Sequence, residues 1–144
     1  YRKLVKSTNV RIAAGDWGFS TRHEFADLLR RGSLDVVQPS AVRAGGMHEI
    51  LNIAEDAYRF GSLCIPHTWC HVVGVAAQIH LAAIAPNMPY FEFPIAFPKS
   101  DLVENLLEPK FDISNDGSML VPNRPGLGFD LDDRVVSEYR VDPY

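Results

Sequence analysis

The stretch SLCIPHTWCHVVGVAAQIH, residues 62–80, predicts a short buried strand that is followed closely by an apolar helix. Residues 63–65 form an apolar run of strand length, and Pro66 should end it because proline cannot donate to a sheet ladder. Residues 72–85 continue as an apolar helix. His67 therefore lies just past a buried strand end, where α/β enzymes place catalytic groups, and is a candidate catalytic residue.

The same strand-then-helix order occurs twice before this stretch, and a further strand follows it. The predicted strands are residues 10–14, 34–38, 63–65 and 90–93. The first helix begins at Ser20 or Thr21, with Glu24 completing a capping box, and ends at Gly32; the other two are residues 47–60 and 72–85. Strands that alternate with helices through short connections predict parallel strands and right-handed crossovers.

The alternation stops after residue 93. Five prolines punctuate residues 94–128, and Asn115-Asp116-Gly117 is a turn signal. Apolar residues persist throughout, so we expect an ordered loop rather than a linker. A last helix is predicted over residues 131–141, capped by Asp130.

The length of 144 residues suits one domain with a real core. A net charge of −4 gives no basic footprint, which argues against nucleic acid or an anionic membrane surface as a partner. Residues 72–85, the longest apolar stretch, are too short to cross a bilayer. Residues 1–7 lack the apolar run of a signal peptide and are typical of a helix C-terminus, so we expect the chain to begin inside a larger fold.

The two cysteines, Cys64 and Cys70, are too few for a disulfide framework, so we expect a reducing, cytoplasmic compartment. Together with His67 and His71 they raise the alternative of a zinc site. The spacing matches no zinc signature, and Cys64 belongs to a buried strand. The sequence therefore disfavours zinc.

Each predicted strand ends at a polar residue: Asp16, Ser40, His67 and Glu92. The carboxyl ends of parallel neighbours share one edge of a sheet, so these side chains should converge. Taken singly, Asp16 and Ser40 suit turns, and a lone histidine is as often structural as catalytic. Glu92 is the least ordinary, because it interrupts an aromatic strand. The set as a whole predicts a functional site.

Several motifs occur in an order that resembles one known family. They are IAAGD at 12–16, LDVVQP at 34–39 with RAGG at 43–46, IPH at 65–67, HLAA at 80–83, FEF at 91–93, and DG at 116–117 with VP at 121–122 and PGLG at 125–128. This order resembles the mandelate racemase/muconate lactonizing enzyme family of the enolase superfamily. The resemblance covers nearly the whole chain.

The resemblance implies an α/β fold, namely the C-terminal half of a TIM-like (β/α)7β barrel. Four parallel strands with three helices would precede a C-terminal segment rich in proline and glycine. Residues 1–98 would form the partial barrel, and residues 99–144 would pack back on the barrel and on a capping region.

In that family Mg²⁺ is held by carboxylates at three strand ends, and a base removes the proton α to a carboxylate to form an enediolate. By resemblance, Asp16 matches the third metal ligand and His67 matches the base. Glu92 matches the acid that hydrogen-bonds the substrate carboxylate or enolate.

Two departures from the family pattern matter. Ser40 stands where the family has an aspartate beside the histidine; a hydroxyl could orient the ring but supplies no negative charge, so we expect His67 to be a weaker base or the chemistry to differ. The other two metal ligands and the N-terminal half of the barrel are not in this chain. We therefore expect the chain alone to bind Mg²⁺ poorly and to be inactive, to need the missing half, and to belong to a homo-oligomer.

The resemblance favours an acid-sugar dehydratase, in which a base removes the α-proton and an acid assists loss of hydroxide. A racemase or epimerase of the same family is the first alternative. A non-catalytic barrel relative that acts as a binding or structural protein is the second, and Ser40 favours it. A self-contained small α/β binding domain is the third.

Overall fold

Three short parallel strands form the central sheet of the computed structural model, which describes residues 1–95 and 99–141. They are β1 (Ala13–Ala14), β2 (Val36–Val37) and β3 (Leu63–Cys64), adjacent in chain order. Ala14 pairs with Val37 and Val37 with Cys64, so the strands end level with one another. The predicted α/β class with parallel strands is confirmed, although the strands are shorter than predicted.

Six helices accompany the sheet within the described ranges. They are α1 (Arg2–Ser7), α2 (Arg22–Arg30), α3 (Met47–Arg59), α4 (Val72–Ile84), α5 (Asp101–Glu104) and α6 (Asp133–Tyr139). The predicted capping box starts α2: the Thr21 side chain accepts from the Glu24 amide, and the Glu24 carboxylate accepts from the Thr21 amide at 2.9 Å. Hydrogen bonds from the Ser20 amide and from Thr21 hold the pKa of Glu24 below its ordinary value. No described helix is both long enough and apolar enough to cross a bilayer.

The main core lies where α2 and α3 pack on the sheet and on the C-terminal half of α4. Its fully or nearly fully buried side chains include Phe25, Leu29, Val37, Ile50, Ile53, Cys64 and Leu81. This burial explains why the strands are apolar, because the faces of a parallel sheet are covered by helices.

Main-chain hydrogen bonds between β3 and β2 continue past the last paired residue. The amides of Leu63, Ile65 and His67 donate to the carbonyls of Asp35, Val37 and Pro39 at 2.9, 3.0 and 3.0 Å. The Cys64 amide donates the other way, to the Asn87 carbonyl at 3.0 Å. Alternate N–H groups of a strand point to opposite sides, so the missing donor of Pro66 falls on the Asn87 side and leaves the contact with β2 intact.

The predicted fourth strand, residues 90–93, is wrong, because the described sheet has three strands. Beyond Asn87 the segment has no ladder with β3: Pro66 offers no donor on that side, and Pro89 has none either. Tyr90 is instead 70% exposed. The segment carries Glu92 outside any strand.

The C-terminal part holds more structure than the predicted loop. Strands β4 (Leu107–Glu108) and β5 (Asp130–Leu131) pair antiparallel. The predicted helix over residues 131–141 begins later, as α6, and its cap is Asp132 rather than Asp130. The Asp132 carboxylate accepts from the amides of Arg134 and Val135 at 2.8 and 3.2 Å, whereas Asp130 is held in the strand.

The C-terminal part packs on the N-terminal half of α4. Val72 and Ala76 of α4 form a second buried cluster with Leu106, Leu107 and Val135. The predicted division of the chain after residue 98 falls on residues 96–98, which lie outside the described residues.

Asn87, in the turn after α4, closes the core beside β3. Its side chain is buried, and its amide donates to the carbonyls of Ala54 and Ser62 at 2.9 and 3.2 Å. These bonds tie the middle of α3 and the residue before β3 to the turn after α4.

We expect Asn87→Ala to lower the free energy of unfolding by about 1–3 kcal/mol, because two buried carbonyls lose their donor. The midpoint of urea unfolding measures this loss. Asn123→Ala, at an exposed position, should leave the midpoint unchanged. Equal midpoints for the two variants would contradict the role given to Asn87.

A bidentate ion pair joins α2 to α3. Arg22 donates to both carboxylate oxygens of Asp56, at 2.8 and 3.2 Å. The hydrogen bond from Arg22 holds the pKa of Asp56 below its ordinary value of 3.8, against the opposing effect of burial. A depressed carboxyl pKa contributes stability above the ordinary pKa, and this contribution is lost as the pH falls through the depressed value.

We therefore expect Asp56→Asn to unfold at a lower urea concentration than the wild type at pH 7. The difference should shrink as the pH falls below 3.8 and through the depressed pKa, and it should vanish once the carboxyl is protonated in both states. Asp27→Asn, on the exposed face of α2, is the control. A difference that persists unchanged in acid would show that Asp56 does not act through its charge.

Candidate functional site

The ends of the three strands bring Asp16, Ser40 and His67 to one edge of the sheet. Counting on from the Val37–Cys64 pair places Ser40 level with His67. The His67 amide donates to the Pro39 carbonyl at 3.0 Å, which fixes the loop after β3 beside the loop after β2. The predicted convergence of strand ends follows from this register.

Glu92 reaches the same edge from outside the sheet. Its Oε2 atom lies 3.2 Å from Nδ1 of His67 and accepts the Thr68 amide at 2.7 Å. The His67 side chain is 12% exposed and that of Glu92 is 32% exposed, so this pair lies at a partly shielded surface. An imidazole beside a carboxylate can accept and return a proton.

Gln78 of α4 supports the loop that carries His67. It is fully buried, and its Nε2 group donates to the His67 carbonyl at 3.0 Å and to Cys70 Sγ at 3.6 Å. Sequence reasoning missed both Thr68 and Gln78 as parts of the site. For Gln78 the signal was present, as one of two polar residues, with His80, in a largely apolar helix.

Ser40 is 3% exposed, and its hydroxyl makes no hydrogen bond with any described residue. The expectation that this hydroxyl orients the His67 ring is therefore wrong for this structure, although the two residues are level in the sheet. The main chain turns away from β2 directly after Ser40, because the Ser40 carbonyl accepts the amides of Arg43 and Ala44. A catalytic role for Ser40 stays a prediction.

Asp16 follows Gly15, whose backbone has a φ of +122°. A Cβ atom at Gly15 would lie 2.6 Å from the Phe25 ring, so only glycine lets β1 end here and present Asp16. Asp16 is partly exposed and has neither a hydrogen bond nor an ion pair with a described residue. Beside it the Arg43 guanidinium stacks on the exposed Trp17 ring, 3.8 Å from its centroid.

A partly exposed carboxylate without a protein partner suits Mg²⁺, which prefers oxygen ligands. Asp16 is thus fitted to be one ligand. Within residues 1–95 and 99–141, no three His, Cys, Asp or Glu side chains are grouped closely enough to hold a metal on their own. Any Mg²⁺ site would need further ligands from elsewhere.

The residues of the zinc alternative do not form such a site either. Burial raises the pKa of the Cys64 thiol to about 12, so this thiol stays protonated and is a poor ligand. Burial also raises the pKa of Cys70. Nδ1 of His71 caps α4, where it accepts the Val73 amide at 3.5 Å.

Comparison with known proteins identifies a family and similar enzymes. The family described as enolase C-terminal domain-like matches residues 1–135. The chain is 33% identical over 138 residues to an arabinonate dehydratase of Saccharolobus solfataricus, covering 96% of this chain and 36% of that enzyme. The chain thus spans little more than a third of the length of this relative.

Two solved structures show the same architecture. The L-talarate dehydratase from Polaromonas sp. JS666, solved with Mg and L-glucarate, matches with a TM-score of 0.77 and 32% identity, covering 94% of this chain and 34% of that one. A mandelate racemase/muconate lactonizing enzyme from Sulfitobacter sp. matches with a TM-score of 0.83 and 28% identity, covering 96% and 33%.

We expect Gln78→Met to loosen the loop that carries His67, because the His67 carbonyl loses its buried donor. Amide hydrogen exchange of residues 67–71, followed by mass spectrometry, should become faster. Ile79→Met, at the next position of the same helix, is the matched control and should leave this exchange unchanged. Equal protection in the two variants would show that Gln78 only fills space.

Proposed function

The chain belongs to the enolase C-terminal domain-like family of the enolase superfamily, and from this membership we propose that it is the C-terminal part of an acid-sugar dehydratase. The observation that carries the proposal is the contact between His67 and Glu92 at the carboxyl edge of the sheet. A packed core does not require an imidazole and a carboxylate at that position. Family members that act on acid sugars support the substrate class, since arabinonate dehydratase is among the relatives.

The rest of the catalytic barrel forms part of the proposal. The chain spans 36% of the arabinonate dehydratase it matches, and Asp16 is one ligand of a site that needs others. We infer that an N-terminal part supplies the remaining strands and two further carboxylates. The outer edge of β1 has no neighbouring strand in the described sheet, and such strands would pair with its N–H and C=O groups. The complete protein would be a homo-oligomer.

The residues of this chain would take three roles. His67 accepts the proton α to the substrate carboxylate and, once protonated, can assist the departure of the β-hydroxyl as water. Asp16 would hold Mg²⁺ together with ligands from the other part of the protein. The bound Mg²⁺ would supply stabilisation of the negative charge that develops on the substrate carboxylate.

A cytoplasmic location belongs to the same proposal. Cys64 and Cys70 are both free thiols, and Cys64 is fully buried. Free thiols persist in a reducing compartment.

The test uses the complete protein with Mg²⁺ and a panel of acid sugars, arabinonate, galactonate and glucarate among them, in D₂O. We expect formation of a 2-oxo-3-deoxy acid, together with incorporation of deuterium, both followed by NMR. His67→Asn should lower the rate by about 100-fold or more, as expected for loss of a general base. His48→Asn, which changes an exposed histidine of α3, is the matched control and should be fully active.

Two other results would each overturn dehydration. Deuterium exchange at the α-carbon without loss of water would assign a racemase or epimerase. The absence of both reactions across the panel, with Mg²⁺ binding confirmed by calorimetry, would assign a non-catalytic relative that binds carboxylates.

A further inference from the structure

The carboxylate that lies beside the His67 ring belongs to Glu92, which the resemblance does not predict. The resemblance assigns this glutamate to the substrate, and it assigns the partner of the histidine to position 40. In the structure the Ser40 hydroxyl has no partner, and the carboxylate nearest to the ring is that of Glu92, with Oε2 at 3.2 Å from Nδ1. We propose that Glu92 replaces the missing aspartate: its carboxylate keeps the proton of the neutral His67 ring on Nδ1 and leaves the Nε2 lone pair to act as the base.

The argument from the tautomer is electrostatic. A neutral imidazole carries one proton, on either Nδ1 or Nε2. If Nδ1 were bare, its partial negative charge would lie 3.2 Å from a carboxylate oxygen, and the two electron-rich atoms would repel each other. A proton on Nδ1 turns this contact into an attraction. The ring nitrogen that remains free to accept a proton is then Nε2.

The carboxylate is held in place for this task. Its Oε2 atom accepts the Thr68 amide at 2.7 Å, and Thr68 itself is fully buried. On the other side the Gln78 amide holds the His67 carbonyl at 3.0 Å. Because the His67 carbonyl and the Thr68 amide belong to one peptide group, Gln78 holds that peptide, and the peptide in turn holds the glutamate carboxylate beside the ring.

No other described group competes for Nδ1. Burial raises the pKa of the Cys70 thiol, the hydrogen bond from Gln78 opposes this rise, and the charge of Glu92 adds to it, so Cys70 remains a neutral thiol. When His67 has accepted a proton, the negative charge of Glu92 stabilises the imidazolium. This supplies from residue 92 the charge that Ser40 cannot supply.

The positioning role of Glu92 rests on the proposed function only in its kinetic consequence, because the tautomer exists without any substrate. The first test is therefore solid-state NMR of the complete protein labelled with ¹⁵N-histidine, recorded where the imidazoles are neutral. The His67 signals are those that disappear in His67→Asn. We expect a protonated Nδ1 and a bare Nε2. A protonated Nε2 in the wild type would overturn the proposal, whatever the protein catalyses.

The variant Glu92→Leu should shift the His67 ring towards the Nε2–H tautomer that an isolated imidazole favours. Adding Ser40→Asp in the same chain restores a carboxylate level with His67, and it should return the proton to Nδ1. Glu138→Gln, at an exposed position of α6, is the control and should leave the signals unchanged. If the His67 signals do not change when Glu92 is replaced, the positioning role of Glu92 is refuted.

The second test separates the two roles of Glu92 by kinetics on whichever acid sugar the complete protein converts. As a positioning residue, Glu92→Leu should lower kcat by about 100-fold with little change in KM, and Ser40→Asp should restore at least a tenth of the activity. A large rise in KM with kcat preserved would assign Glu92 to the substrate instead. Complete absence of turnover in the wild type defeats the proposed function, and the NMR result still decides the tautomer.

Discussion

The hydrogen bonds that β3 donates to β2 are the constraint on which the site depends. They run from Leu63 to His67 at every second residue, across a proline that ought to interrupt them. Because the missing donor of Pro66 falls on the opposite side, the last bond can still reach the Pro39 carbonyl. The histidine is thus positioned by the ladder itself rather than by a flexible loop, and its backbone is held again from behind by a buried glutamine.

Much of this arrangement could be predicted from the sequence. The capping box of Thr21 and Glu24, the order of strands and helices, and the position of His67 at a strand end all follow from local patterns that act within a few residues. The same patterns predicted that polar residues would meet at one edge, since parallel strands in sequence order place their ends together.

The predictions that failed depend on partners distant in sequence. Residues 90–93 are rich in aromatic residues, as strands are, yet a strand exists only where a neighbour offers donors and acceptors, and Pro66 withholds one donor. Asp130 and Asp132 are equally good caps by composition, and the choice was made by pairing of β5 with β4. The contacts of Gln78 and Glu92 with the loop after β3 join residues 11 to 24 positions apart, beyond the reach of any periodicity.

One proline therefore has an effect that its own position does not reveal. Because Pro66 has no N–H on one side of β3, the chain after α4 does not pair with β3 as a fourth strand. In such a strand the side chains would alternate between the two faces of the sheet. The unpaired segment can instead direct the Glu92 carboxylate towards the loop that follows β3. A backbone N–H that is missing in one strand thus bears on which side chain of the next segment lies beside the histidine, and in this structure that side chain is Glu92.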